Sequence, residues 1–229
     1  MMNKKYGYVR VAASVPEIKV ANVEFNVSEI IKEIKACNKE GVQVVVFPEL
    51  CITGYTCGDL FYQDFLINKS VEGLETIIKE TAKLDIISIV GIPFRIENKL
   101  YNVAVLLSKG EILGIVPKTY IDRYGEEGRW FNTANTLRTK EINLFGKQVV
   151  VGTDLLFRDK EDKRITLGIE VGEDLWNIKN PSIYLALGGA TIIVNPAASN
   201  ELIGHMFDVA RMMSDKLMTK LEASAITLG

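Results

Sequence analysis

Histidine is almost missing from this chain, since His205 is the single one in 229 residues. A His-based metal site has too few ligands, and a Ser-His or Cys-His catalytic pair exists only if His205 is itself the base. Cysteine is scarce as well. Cys37, Cys51 and Cys57 are an odd set without Cys-x-x-Cys spacing, which argues against a disulfide framework and a structural zinc site. No run approaches the roughly 18 uninterrupted apolar residues of a membrane span. Residues 1–10 are polar and basic without an apolar core, so no membrane anchor or secretory leader is expected, and the cytoplasm is the expected location. Neither sign of charge dominates, with 27 basic against 29 acidic residues and a net charge of −2. The basic residues form no stripe, so nucleic acid is not an expected partner and a small molecule or another protein is. There is no G-x-G-x-x-G, no internal repeat and no linker. The length suits one large core, so residues 1–229 read as a single domain.

What is present centres on residues 42–58, VQVVVFPELCITGYTCG. Residues 42–47 have the length and β-branched composition of a buried strand, which stops at Pro48 and is followed at once by Glu49. A carboxylate at the end of a buried strand is costly to desolvate unless something nearby needs it. Glu49 can be read as a loop cap or surface ion pair, or as a functional carboxylate at the strand edge where α/β proteins place their sites. The turn-forming residues Thr53-Gly54-Tyr55 and Gly58-Asp59 follow.

Before this stretch, residues 6–13 alternate as a first strand. Asn26 or Ser28 is a candidate N-cap for a helix that Gly41 ends. Cys37 lies among that helix's apolar residues and reads as a small core side chain. After it, residues 71–84 predict a second amphipathic helix, and residues 86–92 a second buried strand closed by Pro93. This β-α-β-α-β order implies parallel strands. Glu97-Asn98-Lys99 and Ser108-Lys109-Gly110 then predict two antiparallel hairpins, which makes the sheet mixed. The strand 112–116 ends in Pro117-Lys118, the same grammar as Pro48-Glu49 with the charge reversed. Further strands are expected at 149–152, 165–170 (continuing through Gly172 and Glu173 to Trp176) and 191–194, with a short helix over 182–187. Residues 201–221 carry Leu202, Met206, Val209, Met213, Leu217 and Leu221 at helical spacing. This predicts a methionine-bearing amphipathic helix suited to a core or a subunit interface.

Three strand ends thus share one pattern: FPEL at 47–50, VPKTY at 116–120 and GIEVGEDLW at 168–176. Together they resemble the nitrilase superfamily of carbon-nitrogen hydrolases, whose Glu, Lys and Cys occupy these settings. TGYTCGDLF (53–61), GTDLLF (152–157), EDLW and AASNE (197–201) look like the glutaminase domain of glutamine-dependent NAD⁺ synthetase. The resemblance implies an α/β, four-layer αββα sandwich with mixed sheets. It also implies a site in which Glu49 is the general base, Lys118 the oxyanion partner and position 172 the nucleophile. That position is Gly172, so the thiol is absent, and Cys51 and Cys57 are loop or core residues that do not replace it. By the same resemblance Tyr55, Tyr124, Glu126, Glu173, Ser199 and His205 fall at substrate-contacting positions. His205 stands where a Lys or Arg is usual and Ala197 where Ser is, and the 122–128 loop (DRYGEEG) is shortened.

Two functions follow as expectations. The first is a glutamine amidohydrolase domain of the NAD⁺ synthetase type, inactive or altered for want of its Cys, shortened at its C-terminus and without the synthetase half. The second is a non-catalytic nitrilase-fold module for ligand binding or assembly. Slow hydrolysis by water activated by Glu49 is a weaker third. No metal or nucleotide cofactor is implied for this domain, ATP belonging to the synthetase half. Glutamine or another small molecule is the expected ligand, and a homo-oligomer the expected assembly.

Overall fold

The computed structural model describes residues 8–121, 126–198 and 223–225. Three strands begin a five-stranded sheet: β1 (Val11–Ala13), β2 (Val44–Val46) and β3 (Ile87–Ile96), parallel to one another; β4 (Lys99–Ser108) and β5 (Glu111–Pro117) continue it antiparallel. The hairpins turn as their sequences predict. Glu97 and Asn98 both have positive φ, as do Lys109 and Gly110, the backbone of a two-residue turn matched to strand twist. A two-stranded ribbon, β6 (Glu141–Leu144) with β7 (Lys147–Val150), turns at Phe145-Gly146 in the same way. The second sheet contains β8 (Leu156–Arg158), β9 (Thr166–Ile169), β10 (Ile192–Pro196) and β11 (Ala223–Ala225) in the order β11-β10-β9-β8.

Strand alternation decides what each sheet face touches. Val44, Val46, Ile89, Ala104, Leu106 and Val116 meet Leu167, Ile169, Ile192 and Val194 between the sheets. Val45, Phe47, Val90, Ile92, Val103 and Val105 point the other way, onto helices α1 (Val23–Lys39) and α2 (Asp64–Thr81). Helix α3 (Pro181–Leu187) joins β9 to β10 and packs against both. The layers are therefore helix, sheet, sheet, helix, which is the expected four-layer sandwich. No helix among the described residues is long and apolar enough to cross a membrane.

Several boundaries differ from expectation. Helix α1 begins at Val23, with Asn22 as its cap accepting the Phe25 N–H at 3.1 Å. Asn26 is instead buried within the first turns and holds the Lys19 and Ile52 backbone, and Ser28 bonds back to the Phe25 carbonyl. Gly41 follows the helix with φ of +74°, as a C′ glycine does. Helix α2 starts at Asp64, seven residues before the expected 71. Strand β3 does not stop at Pro93. Counted from the Ile96–Lys99 pair that closes the turn, Pro93 faces Asn102 at a non-hydrogen-bonded position. Its missing N–H therefore points away from β4, past the end of β2, where no ladder bond is lost. After β9 the chain leaves the strand and forms a 3₁₀ turn, Gly172–Trp176. The expected helix over 201–221 lies outside the described residues.

Candidate active site

The three strand-end motifs converge. Phe47 still pairs with β3 through its N–H to the Ile89 carbonyl, after which Pro48 turns the chain across the end of that strand. The crossing is close, because a Cβ on Gly91 would lie 2.6 Å from the Pro48 carbonyl oxygen. Leu50 adopts φ of +53°, a left-handed conformation costly for a branched-chain residue. The strained, glycine-dependent crossing aims Glu49 inward between the sheets. Lys118 follows β5 and is tied on both sides, its N–H to the Asn102 carbonyl and its carbonyl to the Ala134 N–H.

Glu49 and Lys118 are almost wholly buried, at 3% and 1% exposure. The Lys118 ammonium donates to Glu49 Oε1 at 2.7 Å and to Glu127 Oε2 at 2.7 Å. Asn102 Nδ2 donates to the same two carboxylates, at 2.5 Å to Glu49 and 3.2 Å to Glu127. The Ala198 N–H reaches Glu49 Oε2 at 3.3 Å. One ammonium thus serves two carboxylates in a dry setting. Burial pushes the Glu49 carboxyl up to about 7; Lys118 opposes the rise and Glu127 adds to it. Burial works against the Lys118 ammonium, but the two carboxylates outweigh it and hold its pKa above the usual lysine range.

Gly172 closes the corner. It has φ of +53°, and its carbonyl accepts from Asn195 Nδ2 at 3.1 Å. A Cβ built on it would stand 2.5 Å from Glu49 Oε2 and 3.0 Å from Lys118 Nζ. A side chain at position 172 would therefore project straight at the base and the ammonium. In the glycine form the Glu49 carboxylate leans into that space.

Asp174 fastens the two sheets' contributions together. Buried at 1% exposure, it accepts from the N–H groups of Thr119 at 3.0 Å, Tyr120 at 2.7 Å and Val171 at 3.3 Å. Burial lifts its carboxyl to about 6 against the lowering effect of those amides. The loop after Lys118 and the turn before Gly172 are thereby held in one register.

A cavity of about 870 Å³ opens from this corner, with Tyr55, Tyr120, Trp130 and Phe131 among its walls and Glu126, Glu127 and Glu173 as its charged residues. The GDLF segment (58–61) braces one wall. Phe61 packs against Trp130 and Phe131, and Asp59 Oδ1 accepts from Trp130 Nε1 at 3.0 Å. Tyr55 is half-buried, and its phenol is held above the usual range by burial first and by the carboxylates of Glu127 and Glu49 next.

Of the expected site residues, Glu49, Lys118 and Gly172 meet, and Tyr55, Glu126 and Glu173 line the cavity. Tyr124, Ser199 and His205 lie outside the described residues. One assignment shifts by a residue: Glu126 is exposed, and it is Glu127 that turns inward to Lys118. In a short 3₁₀ turn (Glu126–Arg129) adjacent residues point in different directions, and the sequence EE does not say which faces in. Asn102 was missed although it had a signal, a polar residue in phase with the inward-facing Ala104 and Leu106 of β4. Asp174 was missed because its partners are backbone groups. The cysteines do not enter the site. Cys51 donates to the Gly91 carbonyl and burial pushes its thiol up to about 12; Cys57 bonds to the Thr53 and Gly54 carbonyls. No group of three or more His, Cys, Asp or Glu that could hold a metal occurs among the described residues.

A four-layer sandwich with a buried carboxylate and ammonium at adjoining strand ends is the architecture of enzymes that cleave carbon–nitrogen bonds. Residues 10–228 match the carbon-nitrogen hydrolase family, and the chain belongs to it. It is 34% identical over 206 residues to glutamine-dependent NAD(+) synthetase of Mycobacterium tuberculosis, covering 89% of this chain and 30% of that protein. The chain thus spans about a third or less of the length of such relatives. The crystal structure of a glutamine-dependent NAD(+) synthetase from Cytophaga hutchinsonii superposes with a TM-score of 0.78 at 26% identity, covering 95% of this chain and 36% of that one. An amidase from Nesterenkonia sp. shares the fold, with a TM-score of 0.73 at 16% identity and coverage of 95% and 76%. That amidase was captured with the acetamide moiety of fluoroacetamide covalently added at its active-site cysteine.

Proposed function

We propose that the site receives a small carboxamide, with glutamine the first candidate, in the manner of the glutaminase domain of NAD⁺ synthetase, and that glycine at position 172 keeps it from cleaving the amide covalently. One observation carries this reading: a Cβ at residue 172 would point at both Glu49 and Lys118. With a thiol there, Glu49 would take the thiol proton as sulfur attacks the amide carbon. Lys118 would stabilise the oxyanion, and Glu49 would return the proton to the departing ammonia. Water would then hydrolyse the thioester, with Glu49 again as base. Glycine offers no sulfur, so no acyl-enzyme forms. Loss of a nucleophile of this kind costs on the order of a millionfold in turnover. The remaining machinery can bind and polarise an amide but has nothing to attack it with. No metal or nucleotide enters this reading, and NAD⁺ synthesis itself would require a synthetase partner or domain.

The test is Gly172→Cys. The substitution meets a left-handed backbone, roughly a 1 kcal/mol cost, and must displace the mobile end of Glu49 by a few tenths of an ångström. The chain as given is expected to bind glutamine by calorimetry and release no ammonia, and the folded variant to release ammonia and form a thioester visible by mass spectrometry. Ammonia release by the glycine form at the variant's rate, or a folded, glutamine-binding variant that stays silent, would overturn the reading. The position of the Glu49 carboxylate, inside the space a nucleophile would need, favours a second reading in which the domain is a non-catalytic binding or assembly module. A silent variant would support it.

A further inference from the structure

The cavity's charge is one-sided. Glu126, Glu127 and Glu173 are its only charged lining residues, and no Lys or Arg lines it. Glu127 shares Lys118 with Glu49, so that buried trio provides two carboxylates for one ammonium. Glu126 and Glu173 are exposed at the cavity wall and make no ion pair among the described residues. The neighbouring stretch 122–125, DRYG, adds one charge of each sign to the sequence. Arg129 is engaged elsewhere, paired with Asp59 at 3.1 Å and set over the Trp130 ring at 5.6 Å. The remaining walls include Tyr55, Tyr120 and Phe131, whose ring faces attract cations.

We propose that the ligand of this pocket carries a protonated amine at the end opposite its carboxamide and no carboxylate. The inference rests on the carboxamide reading for one end of the ligand and on the cavity wall for the other. The amide reaches Glu49 and Lys118, and the ammonium lies between Glu126 and Glu173 against the aromatic rings. A ligand carboxylate would meet two unpaired carboxylates and no described cation, so an α-amino acid is a poorer fit than the amine lacking its carboxylate.

Four probes of matched length separate the terms by calorimetry at low salt with the whole chain: 4-aminobutanamide, butanamide, 4-carbamoylbutanoate and n-butylammonium. The expected order is 4-aminobutanamide about tenfold tighter than butanamide, with 4-carbamoylbutanoate weaker than both. The preference should shrink in 0.5 M salt. In the Glu126→Gln/Glu173→Gln double variant it should fall to about twofold with butanamide binding unchanged, which also serves as the check that the variant folds. Equal binding of the three amides, or tightest binding of the carboxylate, overturns the amine assignment and leaves the carboxamide reading standing. Binding of n-butylammonium that the double variant loses, with no amide bound, supports the amine assignment and removes the carboxamide reading. Silence from all four overturns both.

Discussion

The two walls of the site are built to the same standard and equipped differently. The charged wall, with Glu49, Asn102, Lys118 and Glu127, comes from the five-stranded sheet and its loops. The glycine wall, residues 171–176 with Asn195, comes from the other sheet. On the charged wall every ionised group is buried against a partner, so removing one strands another. On the glycine wall the frame is equally complete, with Asp174 gathering three amides and Asn195 holding the Gly172 carbonyl, yet the residue it presents has no side chain. The framework of a hydrolytic site and its reactive atom are thus separable, and the cost of the charges is carried whether or not chemistry follows.

The comparison breaks most readily at Lys118. Replacing it by Met leaves Glu49 and Glu127 buried without a counter-charge, a loss of about 3–5 kcal/mol at pH 8 by urea unfolding. The loss should narrow at pH 4, where both carboxylates take protons. A loss under about 1 kcal/mol would mean that water reaches the trio and the wall is not dry.

Glu49 sets a pH dependence of known sign. Its folded pKa of about 7 lies above the ordinary 4.5 because burial disfavours the anion. Its contribution is therefore full below about pH 4.5 and lost as pH rises through about 7, on the order of a few kcal/mol. Asp174, lifted from 3.8 to about 6, runs in the same direction. Urea midpoints measured from pH 4.5 to 8 should fall for the unmodified chain and fall less for Glu49→Gln. An unchanged slope would assign the titration elsewhere.

On the glycine wall, Asp174→Ala leaves the amides of Thr119, Tyr120 and Val171 without their acceptor, a cost of about 2–3 kcal/mol in unfolding free energy. Asp174→Asn should recover part of it. Gly172→Ala is smaller, about 1–2 kcal/mol, from the left-handed backbone and the displaced Glu49 carboxylate. If the alanine variant matched the parent in stability, the corner would be roomier than the 2.5 Å approach to Glu49 Oε2 implies.

How much of this was readable beforehand depends on the range of the interaction that decides each feature. Pro48-Glu49 and Pro117-Lys118 announced themselves because a charge after a buried apolar run is anomalous locally. The hairpins at Glu97-Asn98, Lys109-Gly110 and Phe145-Gly146 are likewise decided by their own residues. Pro93 misled because its tolerance depends on where β2 ends, a fact about a different strand. Asn22 lost to Asn26 as the expected cap because Asn26 is a capping residue type used to bind two distant backbone segments. Glu127 against Glu126 turns on the phase of a single 3₁₀ turn, and Asp174 on backbone amides that no sequence pattern displays.

The smallest expected effect concerns whether the charged wall's own thiols could serve the glycine wall. Cys51 and Cys57 sit on the loop that carries Glu49, but both are buried and both donate to carbonyls of their own surroundings, so each is held as a neutral thiol with its hydrogen occupied. Burial raises the Cys37 thiol too, though it is half-exposed on α1 and far less raised by packing than Cys51. Native-state alkylation followed by mass spectrometry should therefore modify Cys37 first and slowly, with Cys51 and Cys57 reacting only on unfolding. Rapid labelling of Cys51 in the folded chain, with ammonia release abolished by the same modification, would give the site a nucleophile from the wrong wall and reverse the expectation of silence.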